Sequence, residues 1–206
     1  MNRTIKLLMI SDIFVLTGFG LIDPILAIYI KEDLIGGTIF AAGLASMLFL
    51  VTKCLVQLPF SKYVDRHDDK VRWLIVGAFI VSCVPFIYIF AHSIKLIYLA
   101  QILQGIGSGL AYPTWLGLWS TRLDRKHESF EWSLYSTLTG LGTAATAAIG
   151  SAIAEFAGFT YTFVLVGVMS LVGVFVLLGL EKKEEISRGF SSLDYHRRRH
   201  THRWHR

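Results

Sequence analysis

The sequence predicts an all-α integral membrane protein with six transmembrane helices, and three observations carry that prediction. Apolar residues make up 53% of the 206-residue chain and charged residues only 17%, against roughly a quarter charged in ordinary soluble domains. The mean hydropathy is +0.54 even though a basic tail is included in the average. The apolar residues gather into six stretches, at about 7–30, 38–60, 73–91, 96–120, 132–156 and 161–180, each near the roughly 20 residues a helix needs to cross a hydrocarbon layer.

The first stretch, Leu7 to Ile30, is about twice as long as a signal-peptide core and has no small-x-small cleavage pattern, so it is expected as a retained helix. Lys31-Glu32-Asp33 with Gly36-Gly37 separates it from the second, and the charged segment from Ser61 to Arg72 separates the second from the third. The remaining connections are His92-Ser93, the segment from Thr121 to Glu131, and a turn at Gly158. Connections this short make consecutive helices antiparallel neighbours. Arg3, Lys6, Lys62, Arg66, Lys70, Arg72, Arg122, Arg125, Lys126, Lys182, Lys183 and Arg188 fall at one side, and only Lys31 and Lys95 at the other. Basic loops stay on the cytoplasmic side, which predicts an inner or plasma membrane protein with both termini in the cytoplasm. Membrane topology thus explains the net charge of +5, and no nucleic-acid partner is expected. Cys54 and Cys83 lie inside apolar stretches and point to no metal, redox or disulfide framework.

The transmembrane unit is expected to occupy residues 1–187. After Leu180 the composition changes to Glu181-Lys182-Lys183-Glu184-Glu185 and then to a His/Arg-rich end carrying four of the seven histidines, His196, His200, His202 and His205. Residues 188–206 have too little apolar surface to order themselves. They read as a disordered extension, with metal or anionic-lipid binding as the alternative.

Two motifs point to a family. The loop after the second span reads Ser61-Lys62-Tyr63-Val64-Asp65-Arg66-His67-Asp68-Asp69-Lys70-Val71-Arg72, and the fourth span contains Gln101-Ile102-Leu103-Gln104-Gly105-Ile106-Gly107. The first resembles the Gly-x-Leu-Ala-Asp-Arg-x-Gly-Arg-Lys loop of major facilitator superfamily transporters, with both glycines replaced, by Ser61 and Asp68. The second is similar to that family's Arg-x-x-Gln-Gly-x-Gly, with Gln101 in place of the arginine. The first span, Gly18 to Leu26 with Asp23-Pro24, and Gly140, Gly142 and Gly150 in the fifth resemble the drug and proton antiporter branch, whose proline is absent here.

The resemblance implies one six-helix half built from two three-helix inverted repeats, in a family where substrate binds between two halves near the midplane. The second half would come from a homodimer or a separate chain, unless this is the truncated half of a transporter. Asp65, Arg66, Lys70 and Arg72 are then expected to gate against the inner end of that second half. The implied activity is secondary transport of a small solute by alternating access, with proton-coupled efflux as the finer form. The competing reading is a six-helix scaffold that no longer transports, or a transporter fragment. No enzymatic motif appears, and no cofactor or metal is expected.

Ionisable groups inside a span cost about 2.5 to 3.5 kcal/mol on insertion scales and usually face a cavity or a partner. Asp12 and Asp23 are eleven residues apart, within about 20° of one helix face. Asp12 lies roughly 8 Å inside the basic end of the first span and Lys53 roughly 10 Å inside that of the second, which offers a buried pair or, equally, Asp12 at the headgroup boundary with Lys53 snorkelling past it. Asp23 lies at a depth comparable with Gln101 and Gln104, either of which could donate to it. A carboxylate without a cation is a candidate for proton exchange, against which stands a structural role for Asp23 beside the kink-prone Pro24. Tyr112 and Trp115 are candidates for lining a substrate path, whereas Trp73, Trp119 and Trp132 read as interfacial anchors and Glu155 as a solvated acid at the outer end. Gly105, Gly107 and Gly109 sit in a spanning helix with no preceding strand, so they read as close helix contacts and not as a phosphate loop.

Overall fold

In the computed structural model, residues 3–67, 69–124 and 126–201 are described, with side chains as far as Glu181. The chain is all-α: α1 is Arg3–Gly20, α2 Leu26–Asp33, α3 Ile39–Asp65, α4 Lys70–Ile89, α5 Ile94–Arg122, α6 Glu128–Ala157 and α7 Phe159–Thr201. Five of the helices, α3 to α6 and the part of α7 as far as Glu181, are long and apolar enough to cross a membrane. The tail expected from residue 188 lies outside the residues described with side chains.

The first stretch corrects the sequence reading. Instead of one helix from 7 to 30 it forms α1 and α2, separated by a turn at residues 21–25. Pro24 has no backbone N–H, and its ring would collide with the carbonyl of Gly20 in a continuous helix. The chain tightens instead, with Leu21 donating to the Gly18 carbonyl at 3.1 Å and Ile22 to that of Phe19 at 3.0 Å. Gly150 of α6 lies against the backbone of Leu21, so that even a single methyl group there would collide with it. The break is therefore supported from outside as well as imposed by the proline.

Around it, α5 packs between α3 and α4, α1 lies against α6 and α7, and α4 also lies against α7. Lipid tails are as apolar as leucine, so helices in a bilayer associate through close packing and not through hydrophobic exclusion. The glycines of α5 make that closeness possible. A Cβ on Gly105 would stand 2.7 Å from Cβ of Thr52, one on Gly109 2.7 Å from Cβ of Val56, and one on Gly107 2.8 Å from the carbonyl oxygen of Gly77. Ser11 donates to the carbonyl of Gly173 at 2.8 Å, tying α1 to α7.

Two apolar cores result, one at each end of the bundle. At the basic end, Ile5, Leu8, Val71, Leu74, Trp115, Trp119, Val174 and Leu177 pack together. At the other end, Phe19, Ile22, Tyr29, Val84, Tyr88, Ile97 and Phe163 do the same. Tyr29 donates toward the carbonyls of Tyr88 and Ala91, at 3.0 and 3.1 Å, and so ties α2 to the end of α4. Thr38 caps α3 by accepting from the Ala41 N–H at 3.0 Å.

The backbone contact between α4 and α5 sets a testable difference between glycines. Gly77→Ala forces its methyl to within 2.6 Å of the Gly107 carbonyl oxygen, and is expected to destabilise the folded chain by about 1–3 kcal/mol. Gly140 has nothing within 4 Å of its added Cβ, so Gly140→Ala should leave the melting temperature in detergent unchanged or slightly raised. Equal melting temperatures for the two variants would contradict the packing described here.

Candidate functional site

Between the two apolar cores lies a cavity of about 310 Å³. Its walls come from α1 (Ser11, Asp12, Val15, Leu16 and Phe19), α3 (Phe49 and Lys53), α4 (Leu74, Ala78 and Val81) and α5 (Gln104, Ser108, Ala111, Tyr112 and Trp115), with Asp23 from the break, Tyr135 from α6 and Leu177 from α7. A second hollow of about 320 Å³ continues toward the other end and includes Ile22, Leu26, Ser46, Tyr88 and Gln101. Phe19, Asp23, Phe49 and Gln104 line both, so these four residues stand where the two spaces meet.

The equal depth of Asp12 and Lys53 brings them into the same cavity, but no ion pair joins them among the described residues. Tyr135 donates its hydroxyl hydrogen to Oδ2 of Asp12, and Lys53 Nζ sits 4.5 Å from the centre of the Tyr112 ring. Each charge has an aromatic partner, one through a charge-assisted hydrogen bond and the other through a cation–π contact. Depth fixes height along the bilayer but not the direction in which a side chain leaves its helix. Tyr135 was accessible to the same depth argument, since it lies about 10 Å into α6 from the basic end.

The glutamines also differ from expectation. Gln101 Nε2 donates to the Tyr88 hydroxyl at 2.8 Å, and that hydroxyl donates to Oε1 of Gln104 at 3.1 Å. The Tyr88 hydroxyl thus accepts from one glutamine and donates to the other. Asp23 receives a hydrogen bond from neither and is exposed at the wall shared by the two hollows. Tyr88 carried no sequence signal as a polar partner, because only the antiparallel pairing of α4 with α5 brings it beside residues 13 and 16 positions away.

Tyr112 and Trp115 both line the cavity, Tyr112 exposed and Trp115 buried. Trp119 corrects the sequence reading: it is fully buried and not interfacial. It stacks 4.9 Å from Trp115 and lies 5.1 Å from Tyr135, both of which line the cavity, and 5.4 Å from Trp132. In the loop, Asp65 ends α3 and Lys70 begins α4, while Asp65 and Arg66 are exposed. Arg72, expected to need a partner from another half, makes an ion pair with Glu181 at 3.2 Å, because α4 and α7 are adjacent. Asp68 lies outside the described residues. Glu155 is exposed near the far end of α6.

With this geometry in place, comparison with known proteins is decisive for the family. The family profile described as Major Facilitator Superfamily matches residues 8–195. The chain belongs to the Major Facilitator Superfamily. Within it, the chain is 23% identical to the quinolone resistance protein NorA of Staphylococcus aureus over 197 residues, covering 94% of this chain and 50% of that protein. It is 30% identical to the maltose permease of Geobacillus stearothermophilus over 193 residues, covering 89% of this chain and 46% of the permease. Its fold is similar to that of the POT family transporter PepTSo, with a TM-score of 0.77 at 17% identity over 88% of this chain and 38% of that one. The chain therefore spans about half the length of the superfamily relatives it matches.

The tyrosine bridge sets the prediction for this site. Tyr88→Phe keeps the ring but leaves Gln101, which is 4% exposed, without its acceptor, at a cost of about 1–3 kcal/mol. A lowered melting temperature in detergent is expected, with partial recovery on adding Gln101→Leu. Additive losses in that double-mutant cycle would show that the bridge contributes nothing.

Proposed function

We propose that this chain forms one half of a secondary transporter, which moves a small solute across the cell membrane by alternating access. One observation carries this reading: Asp12, Asp23 and Lys53, the charges set well inside the apolar stretches, all line the same cavity. Charged groups retained at membrane depth mark solute or proton paths more often than packing. A six-helix scaffold would gain nothing from collecting them there. The facing wall of the path comes from a second six-helix half, a second copy or another chain, against which the exposed Asp65 and Arg66 gate. Membership in a family of transporters, and similarity to a quinolone resistance protein and a sugar permease, support transport and leave the solute open. Asp23 is the residue we assign to proton coupling, since it stands exposed where the two hollows meet.

The excess of basic residues at the ends of α3, α5 and α7 and the starts of α1, α4 and α6 supports an orientation with both termini in the cytoplasm. In intact cells, Asp33→Cys should react with an impermeant thiol reagent and Asp69→Cys should not, in a background with Cys54 and Cys83 replaced. The reversed labelling pattern would overturn the orientation.

Transport itself is tested by reconstitution into liposomes with an imposed pH gradient, using a fluorescent quinolone and labelled maltose as the first two solutes. Gradient-driven movement of either, lost in Asp23→Asn while counterflow persists, is the expected result. Gradient-driven movement that survives Asp23→Asn would remove the proton role from that residue. Absence of any protein-dependent flux across a wider solute panel would favour the scaffold reading.

A further inference from the structure

Asp12 and Lys53 share one cavity without neutralising each other. Tyr135 holds the carboxylate by a hydrogen bond and Tyr112 holds the ammonium against its ring, so two opposite charges stay apart in a space of about 310 Å³. Isolated charges in an apolar enclosure are costly, and the cost falls when each meets a counter-charge. The rest of the wall is largely apolar and aromatic, and Phe19 and Phe49 line both this cavity and the second hollow. Asp23, the third charged group on this wall, stands exposed at the junction with the second hollow; between Asp12 and Lys53 themselves, a singly charged cation would satisfy Asp12 but add a second positive charge beside Lys53. A singly charged anion would make the mirror-image error.

We propose that this cavity takes a zwitterionic small solute with an aromatic or otherwise apolar body, its ammonium at Asp12 and its carboxylate at Lys53. Tyr135 and Tyr112 act as props that keep the two protein charges from collapsing onto each other while the cavity is empty. The inference rests on the cavity being the solute site of the proposed transporter, and it adds the substrate class.

The test uses the full chain purified in mild detergent and three probes on one scaffold: 4-(aminomethyl)benzoic acid, its methyl ester and its N-acetyl derivative. At neutral pH these present both charges, the positive charge alone and the negative charge alone. Calorimetric titration should show the zwitterion binding about tenfold or more tighter than either singly charged probe. Lys53→Met should bring the zwitterion down to the ester's affinity, and Asp12→Asn should bring it down to that of the N-acetyl compound. Lys53→Arg should keep the zwitterion preference. Equal affinities for the three probes, tighter binding of a singly charged one, or no binding of any would each overturn the proposal. Because the unmodified chain alone already distinguishes these outcomes, poor folding of a variant does not rescue it. Gradient-driven flux of another solute in liposomes, found together with no zwitterion preference, would remove this substrate class and leave the transport reading standing.

Discussion

The structure depends on the backbone-to-backbone approach of α5 to its two neighbours. A helix in lipid gains little from hiding leucine from leucine-like tails, so its position is set by how closely it can be packed and by the polar bonds that closeness permits. Gly105 and Gly109 seat α3 against α5, and Gly107 seats α4 through Gly77. Once α5 is held on both sides, the other faces of the same helix are fixed as well. Gln101 and Gln104 meet the Tyr88 hydroxyl on α4, and Tyr112 comes under Lys53 of α3. Bulkier residues at the three glycines would displace the helices that deliver those contacts, so the small residues position the cavity although they are not among the residues that line it.

The break between α1 and α2 is the complementary constraint. Backbone groups freed within a membrane must find partners in protein or in a water-lined space. Here the turn at residues 21–25 uses tighter bonds within itself, is backed by Gly150 of α6, and presents Asp23 to both hollows. A proline that would be destabilising in a lipid-exposed helix is tolerated because the neighbouring helices and the cavity take up its consequences. The two apolar cores draw on different parts of the first stretch, Ile5 and Leu8 near the start of α1 entering one, and Phe19 just before the break, Ile22 in the turn and Tyr29 of α2 entering the other.

Much of this was legible in the sequence because hydropathy is a local property. The apolar stretches, their antiparallel order and the close-contact role of the glycines in α5 follow from composition and spacing, and the Asp-Arg loop with Gln104-Gly105 points to the family. What was not legible depends on rotation about a helix axis. Rise per residue correctly brought Asp12 and Lys53 to one cavity, but it could not show that Tyr135 and Tyr112 would intercept them. Trp119 fits an interfacial pattern by its position near a helix end, yet it is turned inward onto Trp115 of its own helix and Trp132 and Tyr135 of α6. The break at Pro24 was visible as a weak point but not as a division into two helices, since transmembrane helices often carry prolines without separating. Pro59, Pro85 and Pro113 lie inside continuous helices of this same chain.

These differences share a direction that bears on function. For Asp12, Lys53 and the two glutamines, the partner is a tyrosine and not the mid-membrane group that was expected. Tyr135 holds Asp12, Tyr112 underlies Lys53, and Tyr88 bridges the glutamines. A tyrosine hydroxyl or ring face can stabilise a charge or an amide without contributing a full opposite charge, so the groups it holds remain able to bind something else. A direct Asp12–Lys53 pair would be more self-contained and would leave Asp23 as the charge still open on the cavity wall. A chain selected only for packing would be better served by that pair, or by apolar residues at both positions, because breaking even a buried pair into separate charges is destabilising unless a partner arrives. The arrangement observed keeps two opposite charges available in an aromatic enclosure, and this availability is the physical property that a solute site requires and a scaffold does not.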